Sequence, residues 1–168
     1  ALTVFTAWTA HEKESYSRNE IFAQVGAVET AAIAERLHTL RDFELKGLAN
    51  FFENSEKVTS IEFLQYTSYL IKSQYIQAWE WIPAVPAADR SSFEEEARTE
   101  GLKDFRIWQK DPGGKAMPVS GRDWYYPVFY VSPLAGNEKA PGYDLGSEPL
   151  RRAALEEAAL TALPTATE

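Results

Sequence analysis

From Trp8 to Asn54 the chain contains no proline, and only Gly26 and Gly47 interrupt it. Apolar residues recur there at three- and four-residue steps: Ile21, Val25 and Val28, then Ile33, Leu37 and Leu40, then Leu45, Leu48 and Phe52. That period is helical. A helix of about 40 residues runs roughly 60 Å, more than one small domain can cover. The excess predicts a stalk, and an exposed apolar stripe calls for a partner helix. The stripe shifts between Val28 and Ile33, so the heptad is imperfect. The alternative is one long helix folded against its own domain.

Asn54-Ser55 ends this run. Thr59 and Glu62 have capping-box spacing, which predicts a second helix over 60–72 burying Ile61, Phe63 and Leu64. A strand fits Ile76 to Val85. Pro83 and Pro86 each lack a backbone donor, so the strand ends there or lies near an edge. Ser91 and Ser92 precede Glu94 and Glu95 with capping-box spacing, opening a helix that stops at Gly101. A short strand is expected at Phe105 and Ile107, a turn at Asp111-Pro112-Gly113-Gly114, and a third strand over 124–132. Pro133 to Gly142 reads as a loop. Ser147 is expected to cap a last helix, with Pro149 in its first turn and an end near Ala162. Helices and strands mix without regular alternation, which predicts an α+β fold with an antiparallel sheet.

The 168 residues are 13% aromatic and carry a net charge of −8, so the chain is globular and has the wrong sign for nucleic acid. There is no cysteine, which excludes disulfides, zinc thiolates and cysteine catalysis within the chain. Ala1 to Ala10 carry no charge, and Leu2, Val4, Phe5 and Trp8 are apolar or aromatic. This start fits ordinary helix packing, a signal-peptide remnant, or the outer end of a membrane span with Trp8 at the interface.

No residue pattern predicts catalysis. Glu94-Glu95-Glu96 is the densest acidic cluster, and it occupies a helix start, where negative charge complements the dipole. Asp123 and Asp144 adjoin aromatic strands, but nothing in the sequence pairs them. His11 and His38 both fall on the long helix, without partners for a triad or a metal site. No cofactor or metal site is expected. Three aromatic motifs remain: Trp79-Glu80-Trp81-Ile82-Pro83-Ala84-Val85, Trp124-Tyr125-Tyr126-Pro127-Val128-Phe129-Tyr130, and Gly142-Tyr143-Asp144-Leu145. Strand alternation puts Trp79 and Trp81 on one side, and Tyr126, Val128 and Tyr130 likewise. Such residues build either a core or an aromatic pocket with polar handles.

The ordered set of motifs resembles the CHASE domain, the extracytoplasmic sensory module of transmembrane histidine kinases and nucleotide cyclases such as diguanylate cyclases. The resemblance covers roughly residues 43–168. It rests on Trp79 to Val85, on Arg90, Phe93-Glu94 and Ala97-Arg98 through Gly101, on Tyr125 to Pro133, and on Asn137, Gly142 to Leu145 and Ser147 to Leu155. It implies a PAS-like antiparallel sheet with flanking helices behind a long N-terminal stalk helix. Residues 1–57 would then be the end of a membrane span plus the stalk, and 58–168 the sensory domain. The resemblance further implies a parallel homodimer, membrane spans on either side, a periplasmic or extracellular position and a cytoplasmic kinase or cyclase output. Further strands are expected beyond Glu168. In the cytokinin-binding members an aspartate just after the Pro-Val strand contacts adenine. Pro133 stands at or next to that place and cannot make the contact, which argues against a cytokinin.

The sequence thus predicts a small-molecule sensor, itself no enzyme, with ligand contacts at Trp81, Pro83, Tyr126, Val128, Tyr130, Tyr143 and Asp144. Two other readings stand beside it. One is a structural dimerisation module with a dry aromatic core. The other is a carboxylate enzyme, which needs two carboxylates about 5 to 10 Å apart in one cleft.

Overall fold

The computed structural model describes residues 2–72 and 76–167, with side chains from Arg18 onward except at Lys72. The chain forms two units, Ala1–Gly47 and Leu48–Glu168. In the first, α1 (Leu2–Thr39) continues into a π-helical turn, Leu40–Leu45. An Arg36–Glu44 ion pair at 2.8 Å spans that turn. Each π turn adds a residue to the helical repeat and rotates the faces that follow. Ile21, Phe22, Val25, Val28, Ile33 and Leu37 are all exposed on α1. Among the described residues, no helix is long and apolar enough to cross a membrane.

α2 (Lys46–Glu53) carries Phe51 and Phe52 of the second unit. Phe51 stacks on Tyr66 at 4.6 Å, and Phe52 stacks on Trp81 at 3.7 Å. α3 (Ser60–Thr67) has the expected box: Thr59 accepts from the Glu62 N–H, and Glu62 accepts from the Thr59 N–H at 2.9 Å. The buried face differs from the expected one. Phe63, Thr67 and Leu70 are buried, while Ile61 and Leu64 are exposed. The α-helix is only eight residues long and gives way to a 3-10 turn, Leu70–Lys72. Its one buried stripe follows Phe63, which packs on Tyr130 at 5.5 Å.

The strands are short and pair antiparallel. β1 (Trp79–Trp81) pairs with β6 (Tyr130–Ser132), β2 (Val85–Pro86) with β5 (Trp124–Tyr125), and β3 (Trp108–Lys110) with β4 (Ala116–Pro118). With five α-helices among the described residues, the fold is α+β. Loop hydrogen bonds join the three pairs into one layer. Val128 N–H donates to Tyr143, and Leu145 N–H to Tyr126, at 3.0 Å each. On the other side, Trp108 N–H donates to Gly142 and Asp144 N–H to Trp108, both at 2.9 Å. The segment 142–145 therefore lies between 124–132 and β3. Residues 79–86 form an edge, where Pro83 and Pro86 leave no unmet donor.

The expected strand over 76–85 breaks into β1 and β2 at Pro83. The expected strand at Phe105 and Ile107 starts later, at Trp108. There α4 (Arg90–Thr99) takes the backbone groups: Glu94 accepts from the Ile107 N–H and Arg98 donates to the Phe105 carbonyl, both at 3.0 Å. Glu94 is thereby unavailable for the expected capping box. Asp89 stands at the cap without a side-chain bond, and the Ser92 hydroxyl donates back to its carbonyl at 2.8 Å. The turn at 111–114 does join β3 to β4. α5 (Pro149–Thr161) has Pro149 in its first turn, but Glu148 is its cap residue, because the Ser147 hydroxyl is spent on the Asp144 carbonyl at 2.6 Å.

Val128, Val131, Tyr143 and Leu145 form a core on one face of the layer, against Leu155 of α5. The other face carries Phe129 and Tyr130, packed against Phe93 of α4 and Phe63 of α3.

Candidate functional site

Those two faces are assigned by a β-bulge. Val85 pairs with Tyr125 and Trp81 with Tyr130, so three residues on one strand oppose four on the other. Phe129 N–H donates to the Trp81 carbonyl at 2.8 Å, placing Phe129 and Tyr130 both opposite Trp81. The extra residue re-aims every side chain beyond it. Simple alternation would put Tyr126, Val128 and Tyr130 on one side. Instead Val128 enters the α5 core, while Phe129 and Tyr130 both turn towards α4.

There they line a cleft of about 440 Å³ with Phe52, Trp81 and Phe93. Phe93 lies 5.0 Å from Phe129, and Phe129 4.5 Å from Tyr130. The rest of the lining is polar: Glu53, Ser55, Glu56, Lys57, Glu96 and Glu100 with Val58. The Tyr130 hydroxyl has one proton and two acceptors, the Val58 carbonyl at 3.2 Å and Glu100 at 3.0 Å. Burial, and then Glu100, pushes this phenol well above its ordinary range. Lys57 bridges Glu96, at 3.0 Å, and Glu100. Hydrogen bonds that it donates to Glu100 and then Glu96 raise its ammonium above the ordinary lysine value.

The structure brings Trp81 and Tyr130 together here and puts the other expected contacts elsewhere. Pro83 lies between β1 and β2, outside the cleft. Val128 is core. Asp144 is fully buried: it accepts from the N–H groups of Tyr126 at 2.8 Å and Gly146 at 3.0 Å, and from Arg122. Arg122 also donates to Gln109 at 2.8 Å. Asp144 therefore ties three segments of the layer, with both carboxylate oxygens engaged inside the fold. Tyr126 is half-buried, and burial raises its phenol. Tyr143 packs on Trp108 at 4.8 Å, under the Lys110 ammonium, and borders a separate cleft with Asn137 and Lys139.

Phe52, Phe93, Phe129, Lys57, Glu96 and Glu100 were missing from the sequence expectation. The spacing of Phe93, Glu96 and Glu100 on one helix face is a usable signal; Lys57 leaves none. The acidic run disperses as a helix requires: Glu94 to Ile107, Glu95 to Arg98 at 2.6 Å, Glu96 to Lys57.

No curated protein matches the chain. The family model described as the CHASE domain matches residues 56–168. The chain therefore belongs to the CHASE domain family, the extracytoplasmic, non-catalytic sensory domains of signalling receptors.

Proposed function

We propose that this domain binds a small molecule in the cleft between Trp81 and Tyr130 and passes that event to a cytoplasmic kinase or cyclase. The bulge at Phe129-Tyr130 carries the reading, because it turns two adjacent aromatics into one cleft of ligand size. Beside the cleft and outside its lining, the Trp79 indole N–H and the Ser132 hydroxyl are buried without a partner among the described residues, though they stand opposite each other across β1 and β6. The PAS-like sheet and the stalk helix are the framework of this proposal. It includes a parallel homodimer through α1, flanking membrane spans, and a periplasmic or extracellular position. Binding would favour one arrangement of the paired stalks over another.

A thermal-shift screen of small metabolites against wild type and Trp81→Ala tests it. At least one compound should raise the wild-type melting temperature by several degrees and leave the variant unmoved. If the panel yields only compounds that stabilise both proteins equally, the site is elsewhere. The exposed apolar residues of α1 favour a second reading, a dimerisation module with no ligand. That reading predicts a concentration-dependent dimer and a blank screen.

A further inference from the structure

The aromatic cleft is bordered by four carboxylates, Glu53, Glu56, Glu96 and Glu100, against one cation, Lys57. Anionic ligands would meet repulsion there. Aromatic faces attract cations, most strongly when water is excluded, and five of the lining residues are aromatic: Phe52, Trp81, Phe93, Phe129 and Tyr130. The cleft already holds one ammonium. Lys57 reaches in from the loop between α2 and α3, and its side chain is 58% exposed. The Glu96 side of this bridge is exposed and adds little, while Glu100 is largely buried; a competing ammonium that keeps both carboxylate contacts replaces Lys57 like for like. The Glu100 carboxylate, which also accepts from Tyr130 at 3.0 Å, stays in position when Lys57 leaves.

We infer that the ligand is an organic cation: a primary ammonium joined to a flat apolar body. The ammonium takes the place of Lys57 between Glu96 and Glu100, and the body lies against Trp81, Phe129 and Tyr130. This rests on the ligand-binding reading of the same cleft and adds the ligand class. Lys57 is then a tethered occupant that weakens binding and sets a threshold for it.

Phenethylamine and its uncharged counterpart 2-phenylethanol are the probes, titrated into the 168-residue chain at neutral pH and followed by NMR. Phenethylamine should bind at least about fivefold more tightly than 2-phenylethanol. Lys57→Ala should tighten phenethylamine about two- to fivefold and leave 2-phenylethanol unchanged. Glu96→Gln with Glu100→Gln should abolish the preference, while the amide oxygen introduced by the second change still offers Tyr130 an acceptor. Lys57→Ala alters an exposed side chain, so its arm stands even if the double variant fails to fold. Equal binding of both probes, lost in Trp81→Ala, overturns the cation inference while the cleft survives as a ligand site. No binding of either probe overturns the inference, and the metabolite screen then decides on the cleft separately. Weaker phenethylamine binding by Lys57→Ala contradicts it as well.

Discussion

Phe129 and Tyr130 share one partner, Trp81, and that local irregularity decides which side chains meet. A bulge leaves no compositional mark. It appears only when two strand pairings are compared, so alternation along 124–132 assigned Tyr130 to the side of Val128. Asp144 shows the converse. Its position in the Gly142-Tyr143-Asp144-Leu145 motif was legible, but its role depends on Arg122 and Gln109, which no local pattern connects to it. Gly142 explains why that motif begins with glycine. Its φ is +79°, and an added Cβ would collide with the Arg106 carbonyl. Gly136 has a φ of +86° but open space around it. Gly142→Ala should therefore cost about 3 kcal/mol or more, and Gly136→Ala about 1 to 2 kcal/mol. Urea denaturation of the two variants measures the difference; equal losses would mean that only the dihedral angle matters.

Among the elements, those governed by neighbours in sequence were legible and those governed by distant partners were not. The helical run, the box at Thr59 and Glu62, the turn at 111–114 and Pro149 at the start of α5 are local. The boxes at Ser91 and Ser92 failed because Glu94 answers to Ile107 and Glu95 to Arg98, and the strand at Phe105 failed because Arg98 takes its carbonyl. The Thr59 box makes a pH prediction. The Thr59 backbone N–H, and then its hydroxyl, hold the Glu62 carboxyl below its ordinary value of 4.5. A depressed carboxylate stabilises the fold fully above its unfolded value, and the contribution is lost as pH falls through the folded one. The urea midpoint of Glu62→Gln should lie below that of wild type at neutral pH. The gap should close below about pH 4.5. A gap constant from pH 7 to pH 3 would show that the charge has no part in the cap.

For the whole molecule, the order of three motifs was enough to reach the family, and the match over residues 56–168 agrees with it. The position of the aromatic cleft was not legible. Motif residues suggested a pocket running from Trp81 to the turn at Tyr143 and Asp144, whereas the layer separates them: Trp81 and Tyr130 face α4, and Tyr143 faces α5. The central proposal is that ligand occupies the first of these places. The chain has five tryptophans, Trp8, Trp79, Trp81, Trp108 and Trp124. Trp81 lines the aromatic cleft, Trp79 is its neighbour on β1, and Trp108 lies beside Tyr143. The direct measurement is a titration of a ligand from the metabolite screen, following the five indole N–H signals by NMR. The Trp81 signal should shift most, with Trp79 following it, while Trp108 and Trp124 stay in place. A shift of Trp108 with Trp81 unmoved would put the ligand at the Tyr143 cleft and contradict binding at Trp81 and Tyr130.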